Sequence, residues 1–260
     1  MAEYTVGFFL SFFANPTALG IGLAFYFGAI WLTPYYPPLF KDARLWAVMA
    51  GSAFLALWAA SFVQIPLQFW AGQVLGHFWS QEVLMSRILL FGIPQILLSG
   101  LVQEGAKMVP VVVYWRRKGR SLDPKLGLAI GAVAGAGFGI FEAQWAHNTV
   151  FAAGWTWEAV QTGGLIALVP FWERFFVVAA HTAFSALAGY GLAKGKGWQF
   201  YLLVSCLHAF LNYSVVLLQG GVLTSVVQVE IYATVYALSV TAWALWLRWR
   251  KPKVAGESEV

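Results

Sequence analysis

Seven long apolar stretches most constrain what this 260-residue chain can fold into. A hydrocarbon core about 30 Å thick needs roughly 20 mostly apolar residues, because a helix rises about 1.5 Å per residue. The stretches that meet this requirement are, in chain order, residues 7–32, 44–70, 88–115, 126–151, 174–193, 200–218 and 222–247. Hydrophobic residues make up 60% of the chain and charged residues only 10%, so polar surface cannot cover it in water. We therefore predict an all-α, polytopic membrane bundle of about seven transmembrane helices, which forms one integral-membrane domain over residues 1–260.

One further apolar stretch, residues 152–172, is not counted as a span. Its tryptophans and glycines favour an interfacial loop or a shallow re-entrant segment. Residues 1–7 contain no Lys or Arg and the first span has full length, so we expect no cleavable signal peptide.

The basic residues are concentrated in alternate loops. If residues 116–125 are cytoplasmic and seven spans alternate in direction, 13 of the 16 Lys and Arg residues lie on the inner side. Arg87 and Arg174 then lie outside, and Lys107 lies within a span. Because cytoplasmic loops carry an excess of Lys and Arg, we predict an outer N-terminus, an inner C-terminus and a basic cytoplasmic tail over residues 248–260. This orientation explains the net charge of +5, and the bilayer rather than nucleic acid is the expected partner.

Polar side chains inside the predicted spans indicate a buried site, because an isolated charge in lipid is costly. The ionisable ones are Glu104 and Lys107 in the third span, Glu142 in the fourth, His181 in the fifth and His208 in the sixth. Asn212 follows His208 by four residues and shares its helix face. Depths counted at about 1.5 Å per residue put these side chains between the middle and the outer half of the membrane. We therefore predict that four helices bring them to one site.

A structural interpretation of the same side chains stays open. Glu104 and Lys107 are three residues apart, so they can form a neutral pair without chemistry, or Lys107 can extend to the cytoplasmic interface. His181 and His208 can serve as interhelical hydrogen-bonding groups. No role is assigned to four polar residues near the outer face, namely His77, His147, Glu173 and Arg174.

Small residues recur every fourth position in the fourth span. Gly127, Gly131, Gly135 and Gly139 form a stripe that Ala143 continues. Such a stripe lets a neighbouring helix backbone approach closely. We expect the fourth span, which carries Glu142, to be central in the bundle.

Two chemistries fit the polar set. A carboxylate that activates water, assisted by imidazoles and an amide donor, hydrolyses a peptide bond. Alternatively, His181 and His208 with either Glu142 or Glu104 match the two-histidine, one-carboxylate set that holds catalytic zinc. The HExxH zinc-peptidase motif is absent, so the cofactor stays undecided between none and zinc.

Four successive blocks of the sequence resemble the PrsW-type intramembrane proteases, which belong to a wider superfamily with the type II CAAX prenyl proteases and bacteriocin-processing enzymes. The blocks are VQEGAKMVPVVVYW, GLAIGAVAGAGFGIFEA, ERFFVVAAHTAFSALAGYGLA and CLHAFLNY, within about residues 100–215. They contain Gln103, Glu104 and Lys107, then Glu142, then Arg174, His181 and Ser185, and last His208 and Asn212.

The resemblance implies a role for each matching residue. Glu104 with His181 would activate the attacking water, and His208 with Asn212 would stabilise the oxyanion or position the substrate. Glu142 would orient the site or ligate a metal, and Gln103, Lys107 and Ser185 would support it. Two positions depart from the family pattern: Gln103 replaces the first Glu of a usual Glu pair, and Ala143 replaces an Asn.

The predicted function is an intramembrane endopeptidase that cuts a membrane-anchored or membrane-adjacent protein, with its protease core at about residues 88–218. The family suggests the inner membrane of a prokaryote. The Gln at position 103 keeps a non-catalytic scaffold open, since the superfamily also resembles the Aph subunit of gamma-secretase. A proton-coupled carrier that uses Glu104, Lys107 and Glu142 is a third alternative.

Overall fold

The computed structural model describes residues 1–251, which form helices joined by short turns and contain no strand. The helices are α1 (Ala2–Ser11), α2 (Ala18–Leu32), α3 (Arg44–Ala59), α4 (Ile65–Phe78), α5 (Gln81–Ser86), α6 (Ile88–Phe91), α7 (Ile93–Arg117), α8 (Pro124–Ala152), α9 (Trp157–Gly163), α10 (Val169–Ala193), α11 (Gly197–Gln219) and α12 (Val226–Trp249). The predicted basic tail lies outside the described residues beyond Lys251.

Seven helical segments among residues 1–251 are long and apolar enough to cross a membrane. They are Ala18–Tyr35, Arg44–Phe78, Ile88–Arg117, Pro124–Ala152, Trp157–Ala193, Gly197–Gln219 and Val226–Trp249. The predicted all-α class and the predicted number of spans are confirmed.

The first span begins later than the predicted residue 7. Asn15 has a φ of 47°, and Pro16 follows it, so the chain leaves the helix between α1 and α2. A proline disfavours helical geometry at the residue before it. The Thr17 side chain accepts a hydrogen bond from the Gly20 amide and starts α2. The prediction of one continuous span over residues 7–32 was therefore wrong.

Between α8 and α10, the ambiguous segment contains a short helix, α9, and a 3₁₀ turn, Gly164–Leu168. Gly164 has a φ of 72°, which separates the two pieces. The Trp155 indole donates to the Ala167 carbonyl at 2.9 Å and folds the segment back on itself. α10 then starts at Val169, five residues before the predicted start of the span at residue 174.

The second span is interrupted by a π-helical turn, Ala60–Gln64, between α3 and α4. Its last residue, Gln64, accepts a hydrogen bond of 2.9 Å from the Gln103 amide on α7. The turn thus directs a polar side chain of the second span toward the third.

The fourth span, α8, is buried over most of its length and packs tightly against α10. A Cβ atom on Gly131 would overlap the Ser185 carbonyl, and one on Gly135 would overlap the His181 carbonyl. The predicted close approach along the glycine stripe is confirmed, and its partner is the helix that carries His181.

Contacts between span ends agree with the alternating path of the chain. The Tyr114 hydroxyl at the end of α7 donates to Asp42 at 2.8 Å, and the Arg250 guanidinium after α12 donates to the Tyr190 hydroxyl of α10 at 2.8 Å. The Arg44 side chain, which donates to Asp42, and the Tyr114 hydroxyl together hold the pKa of Asp42 below its ordinary value. The first contact places the end of α7 beside the start of α3, and the second places the C-terminal ends of α10 and α12 on one side of the bundle. The assignment of that side to the cytoplasm stays a prediction.

We expect Gly131→Ala to destabilise the protein, because the added methyl group overlaps the α10 backbone. Overpacking of this kind costs about 1–3 kcal/mol, which thermal unfolding in detergent will measure as a lower melting temperature. Gly22→Ala is the matched control, since a Cβ at that position meets nothing within 4 Å. Equal melting temperatures for the two variants would contradict the packing described here.

Reporter fusions test the predicted orientation. Alkaline phosphatase fused after Gly119 should be inactive, because this loop is predicted to face the cytoplasm, whereas a fusion after Ser80 should be active. The opposite pattern would reverse the topology.

Candidate active site

Polar side chains from four helices meet in the interior of the bundle. They are Glu104 and Lys107 of α7, Glu142 of α8, His181 and Ser185 of α10, and His208 of α11. All except Glu142 are at most 2% exposed. The structure thus brings together the ionisable residues that the spans contribute to the predicted site.

Glu104 and Lys107 form an ion pair at the centre of this cluster. The Lys107 Nζ lies 2.5 Å from the Glu104 Oε1, and both side chains are fully buried. His208 Nδ1 contacts the same carboxylate oxygen at 2.7 Å, and the Ser185 hydroxyl donates to Oε2 at 3.5 Å. Lys107 does not extend to the membrane surface, so the snorkelling alternative was wrong.

The hydrogen bonds determine which nitrogen of each histidine carries a proton. The Lys107 ammonium can only donate, so His181 Nδ1 accepts from it at 3.1 Å. The His181 Nε2–H then donates to the Glu142 Oε2 at 3.2 Å. His208 donates its Nδ1–H to the Glu104 carboxylate, and in the neutral imidazole Nε2 is then the acceptor.

Close helix packing positions these side chains. A Cβ on Gly100 would overlap the Ser205 carbonyl, so α7 touches the α11 backbone about one turn from Glu104 and His208. On the opposite side, the α8 glycine stripe holds α10 and therefore His181. Small residues at helix interfaces thus determine the distances within the polar cluster.

A cavity of about 120 Å³ adjoins the cluster. Its polar lining residues are Gln103, Glu142, Glu173, Arg174, His181, His208, Asn212, Ser214 and Glu230. Glu104 and Lys107 do not line it and lie behind the two histidines. A molecule in this cavity would therefore contact His181, His208 and Glu142 rather than Glu104.

The two amide side chains of the predicted site also reach the cavity. Asn212 Nδ2 donates to the Ser99 hydroxyl at 3.0 Å, which uses one of its two N–H groups. Gln103 Nε2 donates to Gln64, and its buried Oε1 has no hydrogen-bond partner. Of the adjacent residues Gln103 and Glu104, the glutamine is the one that lines the cavity.

Three charged residues of the cavity were not predicted from the sequence, namely Glu173, Arg174 and Glu230. Arg174, which was assigned no role from the sequence, lies 3.1 Å from the Glu142 Oε2 and also pairs with Glu173. Its spacing of seven residues from His181 is about two helical turns, which is a signal for a shared face. Glu230 lies inside the seventh predicted span, and the rule that selected Glu142 also applies to it.

A zinc ion is compatible with the residue types but not with the observed contacts. The carboxylate and the two imidazoles of Glu104, His181 and His208 offer atoms within 4.8 Å of one another, a suitable ligand set. However, the Lys107 ammonium is hydrogen-bonded to both Glu104 Oε1 and His181 Nδ1. A metal ion bound by those atoms would lie against this positive charge. As the side chains lie, the ligand set fits an ammonium group and does not fit a metal ion.

Metal analysis of the purified protein tests this conclusion. We expect wild-type protein prepared without chelator to contain far less than one zinc ion per chain. Lys107→Met should raise the zinc content, because it frees Glu104 and His181, and the double variant with His181→Ala should lose that zinc again. If wild type contains one zinc ion per chain and His181→Ala loses it, the metal displaces the Lys107 ammonium and the conclusion is wrong.

Comparison with known proteins identifies the family. The model of the PrsW family intramembrane metalloproteases matches residues 43–243, a range that runs from the loop before α3 into α12 and includes every residue of the polar cluster. No curated protein and no solved structure gives a significant match to the chain. The chain therefore belongs to the PrsW family of intramembrane metalloproteases.

Proposed function

We propose that this membrane protease hydrolyses a peptide bond of a membrane-anchored or membrane-adjacent protein in the cavity beside His208. The observation that carries the proposal is the hydrogen bond of 2.7 Å between His208 Nδ1 and the buried Glu104 carboxylate. In the neutral imidazole this bond holds the proton on Nδ1 and leaves Nε2 free to accept one, and His208 lines the cavity. A histidine held in this way by a carboxylate is suited to general-base catalysis.

Glu104 acts through His208 in this proposal rather than on the water directly. Both of its carboxylate oxygens are already engaged, one by Lys107 and His208 and the other by Ser185. His208 Nε2 takes a proton from water as the water oxygen attacks the carbonyl carbon. The C–N bond then breaks, and the leaving nitrogen takes the proton from His208.

Asn212 is the proposed donor to the negatively charged oxygen that develops during attack. It lies one turn beyond His208 on α11 and reaches the same cavity. Its amide has a second N–H group besides the one bound to Ser99. A single donor of this type lowers the barrier by about 3–4 kcal/mol in other hydrolases.

His181 and Lys107 have positioning roles. Lys107 supplies the positive charge in the cluster that a metal ion supplies in a metalloprotease, and it balances the Glu104 carboxylate. The ammonium also fixes His181, whose Nε2–H holds Glu142. The proposed reaction therefore needs no metal ion.

The glutamine at position 103 favours one alternative, a non-catalytic scaffold. Gln103 lines the cavity at the position where the family pattern has a glutamate, and a glutamine cannot accept the proton of a water molecule. Under the hydrolytic proposal, His208, held by Glu104, accepts the proton of the water molecule instead. Gln103 then binds substrate through its free Oε1.

Digestion of a library of membrane-spanning peptides in liposomes tests the proposal, with the product termini identified by mass spectrometry. We expect wild type to cut, with or without chelator, and His208→Gln and Glu104→Gln to lose about 10²–10⁴-fold in rate, the usual contribution of a general base. Glu82→Gln, an exposed acid of α5, is the control and should cut at the wild-type rate.

Two outcomes would reject this mechanism. If His208→Gln cuts at the wild-type rate, His208 is not the general base. No cleavage by wild type, together with a membrane protein that co-purifies in mild detergent, would support the scaffold.

A further inference from the structure

One buried carboxylate of the cavity has no role in the proposed hydrolysis. Glu230 of α12 is 8% exposed, and its Oε2 has no hydrogen-bond partner. It lines the same cavity as His208 and Asn212. A buried carboxylate without a bonded partner is destabilising, so this position favours a ligand that pairs with it.

The charges around Glu230 do not balance. Among the described residues that line the cavity, three are acidic, namely Glu142, Glu173 and Glu230. Arg174 is the one Lys or Arg residue in this described lining. The Arg174 guanidinium is bonded to Glu142 and Glu173. His181 is neutral in the hydrogen-bonding pattern described above, and one guanidinium faces three carboxylates, so an ionised Glu230 has no full counter-charge in the cavity. The cavity therefore favours a cation.

Position along the helix indicates where this cation lies. Glu230 is the fifth residue of α12, about 6 Å from the start of the helix, whereas His208 is near the middle of α11. Glu230 is thus closer to the membrane surface than the proposed base. Lys and Arg residues that flank transmembrane segments occupy this depth, with their charged ends directed to the interface.

We propose that Glu230 forms a subsite for a Lys or Arg side chain of the substrate, a few residues from the bond that is cut. The inference rests on the proposed function and narrows its substrate class to membrane segments with a flanking basic residue. Hydrophobic peptides that lack this residue bind without the ion pair to Glu230.

Matched peptides test the subsite. A peptide that wild type cuts is prepared with Lys, Met or Glu at each position flanking the cleavage site. We expect one flanking position at which the Lys peptide has a kcat/KM about 10-fold above that of the Met peptide, mainly through a lower KM. Glu230→Gln should lose this preference, and Glu230→Lys should prefer the Glu peptide. The control Glu158→Gln, an exposed acid of α9 outside the cavity, should keep the wild-type preference.

Failure of the subsite is distinguishable from failure of the proposed function. Binding of the same fluorescent peptides to the protein in nanodiscs reports the charge preference even if nothing is cut. A Lys preference that persists in Glu230→Gln, or its absence from wild type in both assays, overturns the subsite and leaves hydrolysis unaffected. Thermal melting of Glu230→Gln should not fall below that of wild type, because the substitution removes an unpaired buried charge, so a loss of preference cannot be assigned to unfolding.

Discussion

Glu104 and Lys107 lie three residues apart on one helix, and neither side chain is exposed at its surface. Transfer of two charges out of water costs several kcal/mol for each ion, and their attraction offsets this only with good geometry and further hydrogen bonds. His208 and Ser185 supply such bonds to the carboxylate, and His181 supplies one to the ammonium. The ion pair therefore requires that α10 and α11 stay in position against α7, and it links the fold to the chemistry.

Helices in lipid lack a hydrophobic driving force for association, so packing and polar contacts must hold them together. In this protein both act at the same places. The glycines of α8 let the α10 backbone approach beside His181 and Ser185, and Gly100 of α7 does the same for α11 near His208. The polar cluster is thus surrounded by close contacts between helix backbones. Such rigid support is what a preorganised site needs.

The sequence alone predicts most of the architecture, because span length and apolar composition follow directly from the thickness of the bilayer. It fails at residues 7–17, where hydropathy averaged over a window hides the local effect of Asn15 and Pro16. The residues of the cluster could be selected because charge is rare in lipid, yet the same rule was not applied to Glu230. Whether Gln103 or Glu104 faces the cavity could not be predicted. Neighbouring residues on a helix point about 100° apart, and the rotation of α7 is determined by contacts such as that of Gly100 with α11.

The π-helical turn at Ala60–Gln64 inserts one additional residue into the second span. One residue corresponds to about 100° of helical phase, so α4 presents a different side to α7 than an uninterrupted continuation of α3 would present. The hydrogen bond between Gln64 and Gln103 depends on this offset. The angular register of the second span, rather than its hydrophobicity, therefore decides which side chain supports Gln103 at the cavity. Loss of a single residue from the turn would replace Gln64 with a different side chain at this contact, while the span would keep enough apolar residues to cross the bilayer.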